Sequence, residues 1–312
     1  MSLPFTFLTR RTINSLLFGL FAFFYSAVYY LGMNNLDYAR AAVSLDAVKP
    51  FVYRQFVPLL ARFLAWFGLR IDIAIVILMT AFGIGFYIAL IRFASFFYDI
   101  NNRGEIIVLT WAIACLALFG AFRKPYDLAT AFLFTLALFY ISKRETRNYL
   151  LLFPLVCLNR ETAFLLIPIF FVFNPQNKAA HIYQVMVYAL TTIILRFVFA
   201  DNSGAAALIE PVENLWRFIN DPTRTLFHLA LTALLLWAVL QNWSNQPAFL
   251  RAAFLVMFPF LMLAYFVFGQ AYETRVFWEL VPVGIIMIFP VFKKYYSCQN
   301  SIFSIIKINP SV

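Results

Sequence analysis

The sequence predicts an all-α fold: a polytopic transmembrane bundle of about 8–10 membrane helices, with an interfacial helix in the first outer loop. Three observations carry that prediction. Of the 312 residues, 63% are hydrophobic and 12% are charged, roughly half the 25% charged residues of an ordinary soluble domain. Apolar runs of spanning length recur along the chain. The 39 Phe and 16 Tyr suit lipid-facing helices with aromatic belts at the two interfaces.

The elements follow in order. Arg10 and Arg11 precede an apolar run that has no small-residue cleavage site, so 14–33 reads as an uncleaved first helix. Further helices are expected at 71–96, 106–122, 126–142, 181–199, 225–241, 252–271 and 276–292. Residues 48–70 are apolar but carry Arg54 and Arg62 at helical spacing, which predicts a helix lying in the interface. Residues 148–173 form either one long helix or two half-helices broken at Asn159–Thr162. No polar segment is long enough to fold separately. Residues 1–312 are therefore one integral membrane domain, with a first outer loop at 34–70, a long outer loop at 201–224 and a cytoplasmic tail at 293–312.

Charge sets the expected orientation. The densest basic flanks are Arg10/Arg11, Lys143/Arg144/Arg147 and Lys293/Lys294, and all three belong in the cytoplasm by the positive-inside rule. Both termini are then inside, which requires an even number of crossings. A broken hairpin over 148–173 satisfies this and a single crossing does not. The net charge of +10 does not imply nucleic acid, because the basic residues sit singly at helix ends. The scattered Cys115, Cys157 and Cys298 and the two histidines exclude a disulfide framework and a His-based metal site.

The chemistry-bearing residues stand where charge is expensive. An ionised side chain at the bilayer centre costs about 2.5–3.5 kcal/mol, so Arg160 and Glu161, inside LLLFPLVCLNRETAFLLIPIFFVF, are the first candidates. Asp37 in the first outer loop can act as a base, with Asp46 as a second acid further along that loop. Arg54, beside Tyr53, can pair two hydrogen bonds with a phosphate. In RKPYD (123–127) the charges read as interfacial anchors, with Asp127 a further second acid. Glu273, Arg275 and Glu279 flank the last helix; Arg275 is a local partner for Glu279 one turn away, or all three face one cavity with Arg160, Glu161 and Arg196. The glycines of FGIGF, Gly83 and Gly85, read as a helix-packing pair. A short amphipathic helix is expected around Trp216.

An outer-loop Asp after helix one, the FVYR-x-x-x-P stretch and the LNRETAFLLIP break together resemble the layout of the GT-C superfamily of membrane glycosyltransferases, in particular its bacterial mannosyltransferase-like members. The resemblance covers roughly residues 10–175. It implies a polyprenyl-phosphate sugar as donor, inverting transfer on the extracytoplasmic side of a bacterial inner membrane, Asp37 as base, and Arg54 and Arg160 at the donor phosphate. Assistance by a divalent metal, Mg or Mn, stays open. The rival readings are a transporter or flippase of a lipid-linked sugar or small molecule, with the Arg160–Glu161 break as its midplane site, and a non-catalytic membrane subunit.

Overall fold

The computed structural model describes residues 10–31, 36–98, 110, 124–204, 211–268 and 274–305. Apart from Thr110, the expected helix at 106–122 lies outside the described residues, as do Glu273 and the side chains of Asp37 and Arg275. Every regular element described is helical. The helices are α1 (Arg10–Leu31), α2 (Leu36–Ser44), α3 (Phe56–Trp66), α4 (Ile71–Phe97), α5 (Asp127–Ser142) and α6 (Thr146–Asn159). They continue as α7 (Leu166–Phe173), α8 (Lys178–Val198), α9 (Pro211–Asn220), α10 (Pro222–Leu240), α11 (Ala248–Val267) and α12 (Val281–Ile305).

Four of these helices, α4, α8, α10 and α11, are long and apolar enough to cross a membrane. Two have almost no protein around them. Only 6% of the most apolar stretch of α8, and 6% of that of α10, is buried. Ile182, Met186, Ile193 and Phe197 on α8, and Leu226, Leu229 and Trp237 on α10, all stand exposed. A helix that is apolar on its outward faces suits hydrocarbon surroundings and not water.

The core is built on α4 and α5, which pack from Phe82 and Gly85 against Phe132 to Phe93 against Phe139, with α1 antiparallel to α4. Their contact is close because of one glycine. A Cβ placed on Gly85 would approach the Phe132 ring to 2.9 Å, whereas at Gly83 the nearest atom lies 3.8 Å away. The expected packing pair is therefore one tight contact and one ordinary one.

Residues 148–173 resolve into a hairpin. α6 ends at Asn159, Arg160 is extended (φ −160°, ψ 141°), and Glu161–Leu165 form a 3-10 turn that leads into α7. The two arms lie side by side. Tyr149, near the start of α6, stacks on Phe170, near the end of α7, with ring centroids 4.9 Å apart and planes 16° apart. Collinear helices would hold these rings some 30 Å apart at about 1.5 Å of rise per residue. α8 then starts beside the same base, where Tyr149 donates to Gln184 Oε1 (2.7 Å) and His181 packs against Phe170.

Other elements depart from the sequence reading. The stretch 48–70 is not one helix: a cis Lys49–Pro50 bond and a 3-10 turn at Phe51–Tyr53 precede α3, so Arg54 sits in the turn and only Arg62 lies on the helix. The exposed Leu59, Phe63 and Trp66 of α3 keep the character of an interfacial helix. The short α2 carries Asp37 as its second residue. The last helix starts at Val281, after a 3-10 turn at Thr274–Phe277, and runs on to Ile305 through much of the expected tail. The amphipathic helix around Trp216 is present as α9.

The first loop is tied down at both ends. Asn202 donates through Nδ2 to the carbonyls of Leu45 (2.8 Å) and Ala47 (3.1 Å), and Lys49 N donates to Ser203 O (2.8 Å). Gly204 takes φ +95°, and a Cβ there would meet Lys49 O at 2.7 Å, so this contact requires glycine. Gln55 N donates to Leu158 O (2.8 Å), giving a partner to a carbonyl that the end of α6 leaves open.

The packing sets a test. Replacing Gly85 by Leu should destabilise the bundle by about 1–3 kcal/mol through overpacking against Phe132. Gly83→Ala should change stability by no more than about 1 kcal/mol, since helix propensity favours it. Thermal unfolding in detergent measures both; equal effects at the two positions would contradict the asymmetry.

Candidate functional site: a charge network at the hairpin tip

The hairpin tip meets the start of α5 and the residues just before α12, and the Tyr29 side chain near the end of α1 reaches the same place. Four separate parts of the chain contribute charge there. Arg160 is 4% exposed and lies between two carboxylates whose side chains are fully buried. Its Nε is 2.8 Å from Glu279 Oε1, and its Nη1 is 3.7 Å from Asp127 Oδ1. Each carboxylate has further support. Asp127 Oδ2 accepts hydrogen bonds from the Tyr29 hydroxyl (2.5 Å) and the backbone N–H of Lys124 (2.9 Å). Glu279 accepts one from the Thr162 hydroxyl.

The next residue turns the other way. Glu161 pairs with Arg54 across the first loop, at 2.9 Å from Nε to Oε2 and 3.2 Å to Oε1. The Arg54 side chain is 12% exposed and that of Glu161 is 39% exposed, so this pair lies at the accessible edge of the network. Arg54 also donates to the Tyr126 hydroxyl (2.7 Å), and its guanidinium lies over the Tyr126 ring at 4.9 Å from the centroid. Lys124 Nζ sits over the Phe51 ring at 4.8 Å. A buried polar link completes the tip, as Asn159 Nδ2 donates to Thr130 Oγ1 (2.8 Å).

The result is a two-layer arrangement. The inner layer, Asp127–Arg160–Glu279, is sealed; the outer layer, Arg54–Glu161, reaches solvent. In a low-dielectric interior one cation flanked by two carboxylates is stable only with hydrogen bonds around it, and Tyr29, Thr162 and Lys124 N supply those to the carboxylates.

Several sequence expectations change accordingly. Arg160 and Glu161 each find a distant counter-charge, Asp127 and Glu279 for the first and Arg54 for the second. Glu279 pairs with Arg160, 119 positions back along the chain, in line with the reading that sets both in one cavity. Asp127 is no interfacial anchor, because it is wholly buried at the first residue of α5. Asp46 is exposed in the first loop. Arg196 is exposed in the last turn of α8, with Tyr188 within electrostatic reach of both it and Glu161.

Asp37 belongs to α2, and α2 is fixed at this same end of the bundle. Arg40, one turn further along, pairs with Asp72 at the start of α4 (Nη2 to Oδ2, 3.1 Å), and Tyr30 donates to Asp72 Oδ1 (2.6 Å). Tyr29, Tyr126, Thr162 and Thr130 are site residues that sequence reasoning did not select. Tyr126 and Thr162 stood inside the quoted motifs RKPYD and LNRET, but nothing in the sequence distinguished them from ordinary helix-end residues. No three His, Cys, Asp or Glu side chains among the described residues come together to hold a metal ion.

The two layers should respond differently to substitution. Arg160→Met leaves two buried carboxylates facing each other and is expected to destabilise the fold by about 3–5 kcal/mol. Glu161→Gln, at an accessible pair, is expected to lose at most about 1 kcal/mol. Unfolding midpoints in detergent compare them, and similar losses at both sites would remove the distinction. In comparisons with known proteins, no family model, no curated protein and no solved structure matches this chain.

Proposed function

We propose that this chain is a multi-pass membrane glycosyltransferase of the GT-C kind that moves a sugar from a polyprenyl-phosphate donor to an acceptor at the hairpin-tip end of the bundle. The observation that carries the proposal is the meeting of Arg54, Asp127, Arg160, Glu161 and Glu279 at one end of an otherwise apolar bundle, with Arg54 and Glu161 at the accessible edge. The hairpin supports a topology with both termini cytoplasmic. It lets the basic residues Lys143, Arg144 and Arg147 and the start of α8 lie on one side, which supports reading the opposite end, with the network, as extracytoplasmic. An inner-membrane location in bacteria follows from the same reading.

The reaction is a displacement at the anomeric carbon. Asp37 takes the proton of the acceptor hydroxyl, the acceptor oxygen forms a bond to the anomeric carbon, and the bond from that carbon to the phosphate oxygen breaks with inversion. The polyprenyl phosphate departs with the electron pair. Arg54, accessible and held by Tyr126 and Glu161, is the cation suited to receive that charge. Arg160, sealed between its carboxylates, positions the tip instead. The exposed Arg196 is a further phosphate contact from α8.

One observation favours a second reading. A discontinuous helical hairpin with a charged tip is also the form of a carrier site, in which case lipid-linked substrate crosses without a covalent product.

Asp37→Asn should abolish sugar transfer in proteoliposomes while the protein keeps its elution profile and melting temperature. Full transfer by that variant would overturn the assignment of the base. Substrate movement across the bilayer with no glycosylated product would replace the enzyme by the carrier.

A further inference from the structure

Away from the charge network, a groove of about 430 Å³ runs between α10, α11 and α12. Its walls include Leu235 and Val239 of α10, Phe258 and Tyr265 of α11, and Ile285 of α12. That volume falls in the range of a single ligand site. The residues contributed by α10 extend from Thr225 to Val239, so the groove is about 20 Å long at 1.5 Å per residue. It runs parallel to helices long enough to cross a membrane. Neighbouring outward residues Leu229, Leu234, Leu255 and Leu263 are exposed and apolar, so the groove belongs to the same apolar surface.

Two details give the groove a direction and a floor. At one end Phe277, Trp278 and Leu280 form part of its wall, and Glu279 between them turns away into the charge network, toward Arg160 and Thr162. In the wall contributed by α12, a Cβ added to Gly284 would meet no atom within 4 Å. The helix therefore carries a gap where a side chain would otherwise fill the space. The groove lining is mostly apolar, with Thr225, His228 and Thr232 as polar exceptions on α10, and a groove of that character open to an apolar surface suits hydrocarbon.

We infer that this groove binds the hydrocarbon chain of a membrane lipid, laid along the helices with its head at the Glu279 end. The inference rests on the reading of the chain as membrane-spanning, and holds for an enzyme and for a carrier alike. The chain lies on Gly284 between α10 and α11, and its head group comes up beside the charge network.

The test uses the full-length protein in liposomes containing a phospholipid with a photoactivatable diazirine near the middle of one acyl chain. Irradiation and peptide mass spectrometry should place the strongest adducts on the groove faces of α10, α11 and α12. Gly284→Phe, whose side chain enters the open space, should remove those adducts and leave weaker labelling on lipid-facing α8 unchanged. Gly284→Ala, which leaves most of the space open, should keep them. Leu235→Trp fills the groove from the opposite wall and should reproduce the loss if Gly284→Phe fails to fold. Even labelling of α8 and α10–α12 that ignores these substitutions would overturn the inference. A change in oligomeric mass with Gly284→Phe would also overturn it, assigning the groove to a second copy of the chain. Release of the wild-type protein from membranes by alkaline carbonate would instead reject the membrane-spanning reading.

Discussion

A guanidinium removed from water needs compensation, and the placing of Arg160 between Asp127 and Glu279 organises the bundle around that need. One carboxylate begins α5 and the other precedes α12, so the ion pairs join the middle of the chain to its last third. The hydroxyls of Tyr29 and Thr162 bring in α1 and the hairpin tip itself. Because the cation is fixed on both sides, the neighbouring Glu161 is directed outward, where it meets Arg54 and so pins the first loop. The sealed triad holds geometry; the pair beside it is the part of the network nearest the outside, with Glu161 more open than Arg54.

Much of this was legible in the sequence, for a physical reason. Charged residues inside apolar runs are costly enough that their presence marks a site, and Arg160, Glu161 and Glu279 were found in that way. Helix positions were legible because spanning length leaves a long unbroken signal: α4 and α10 fall within a few residues of expectation. The hairpin was legible only as one of two alternatives. Its arms are individually shorter than a span, and what distinguishes hairpin from single helix is the stacking of Tyr149 on Phe170, a contact between residues 21 positions apart that no periodicity announces.

Partner choice was legible only as one of two alternatives. Local spacing offered Arg275 to Glu279, since a helix brings residues one turn apart together, and only the alternative of a shared cavity offered Arg160. Burial favours whichever counter-charge can also be hydrogen-bonded, and here that was a residue from a distant element. Asp127 was misread for the same reason. Beside Arg123, Lys124 and Pro125 it looks like the end of a solvated turn, and only tertiary packing shows that the turn is closed over by Tyr29 and the hairpin tip.

The chain order of the triad has a consequence for how the protein is made. Synthesis proceeds from the N-terminus, and domains begin to fold as they emerge. When the hairpin leaves the ribosome, Asp127 and Arg54 already exist, but Glu279 does not. The nascent tip therefore docks with half of its counter-charge, and α8, α10 and α11 are all produced before the second half arrives. A chain that stops before Glu279 would keep the hairpin and leave the buried Arg160 with Asp127 alone of its two carboxylates.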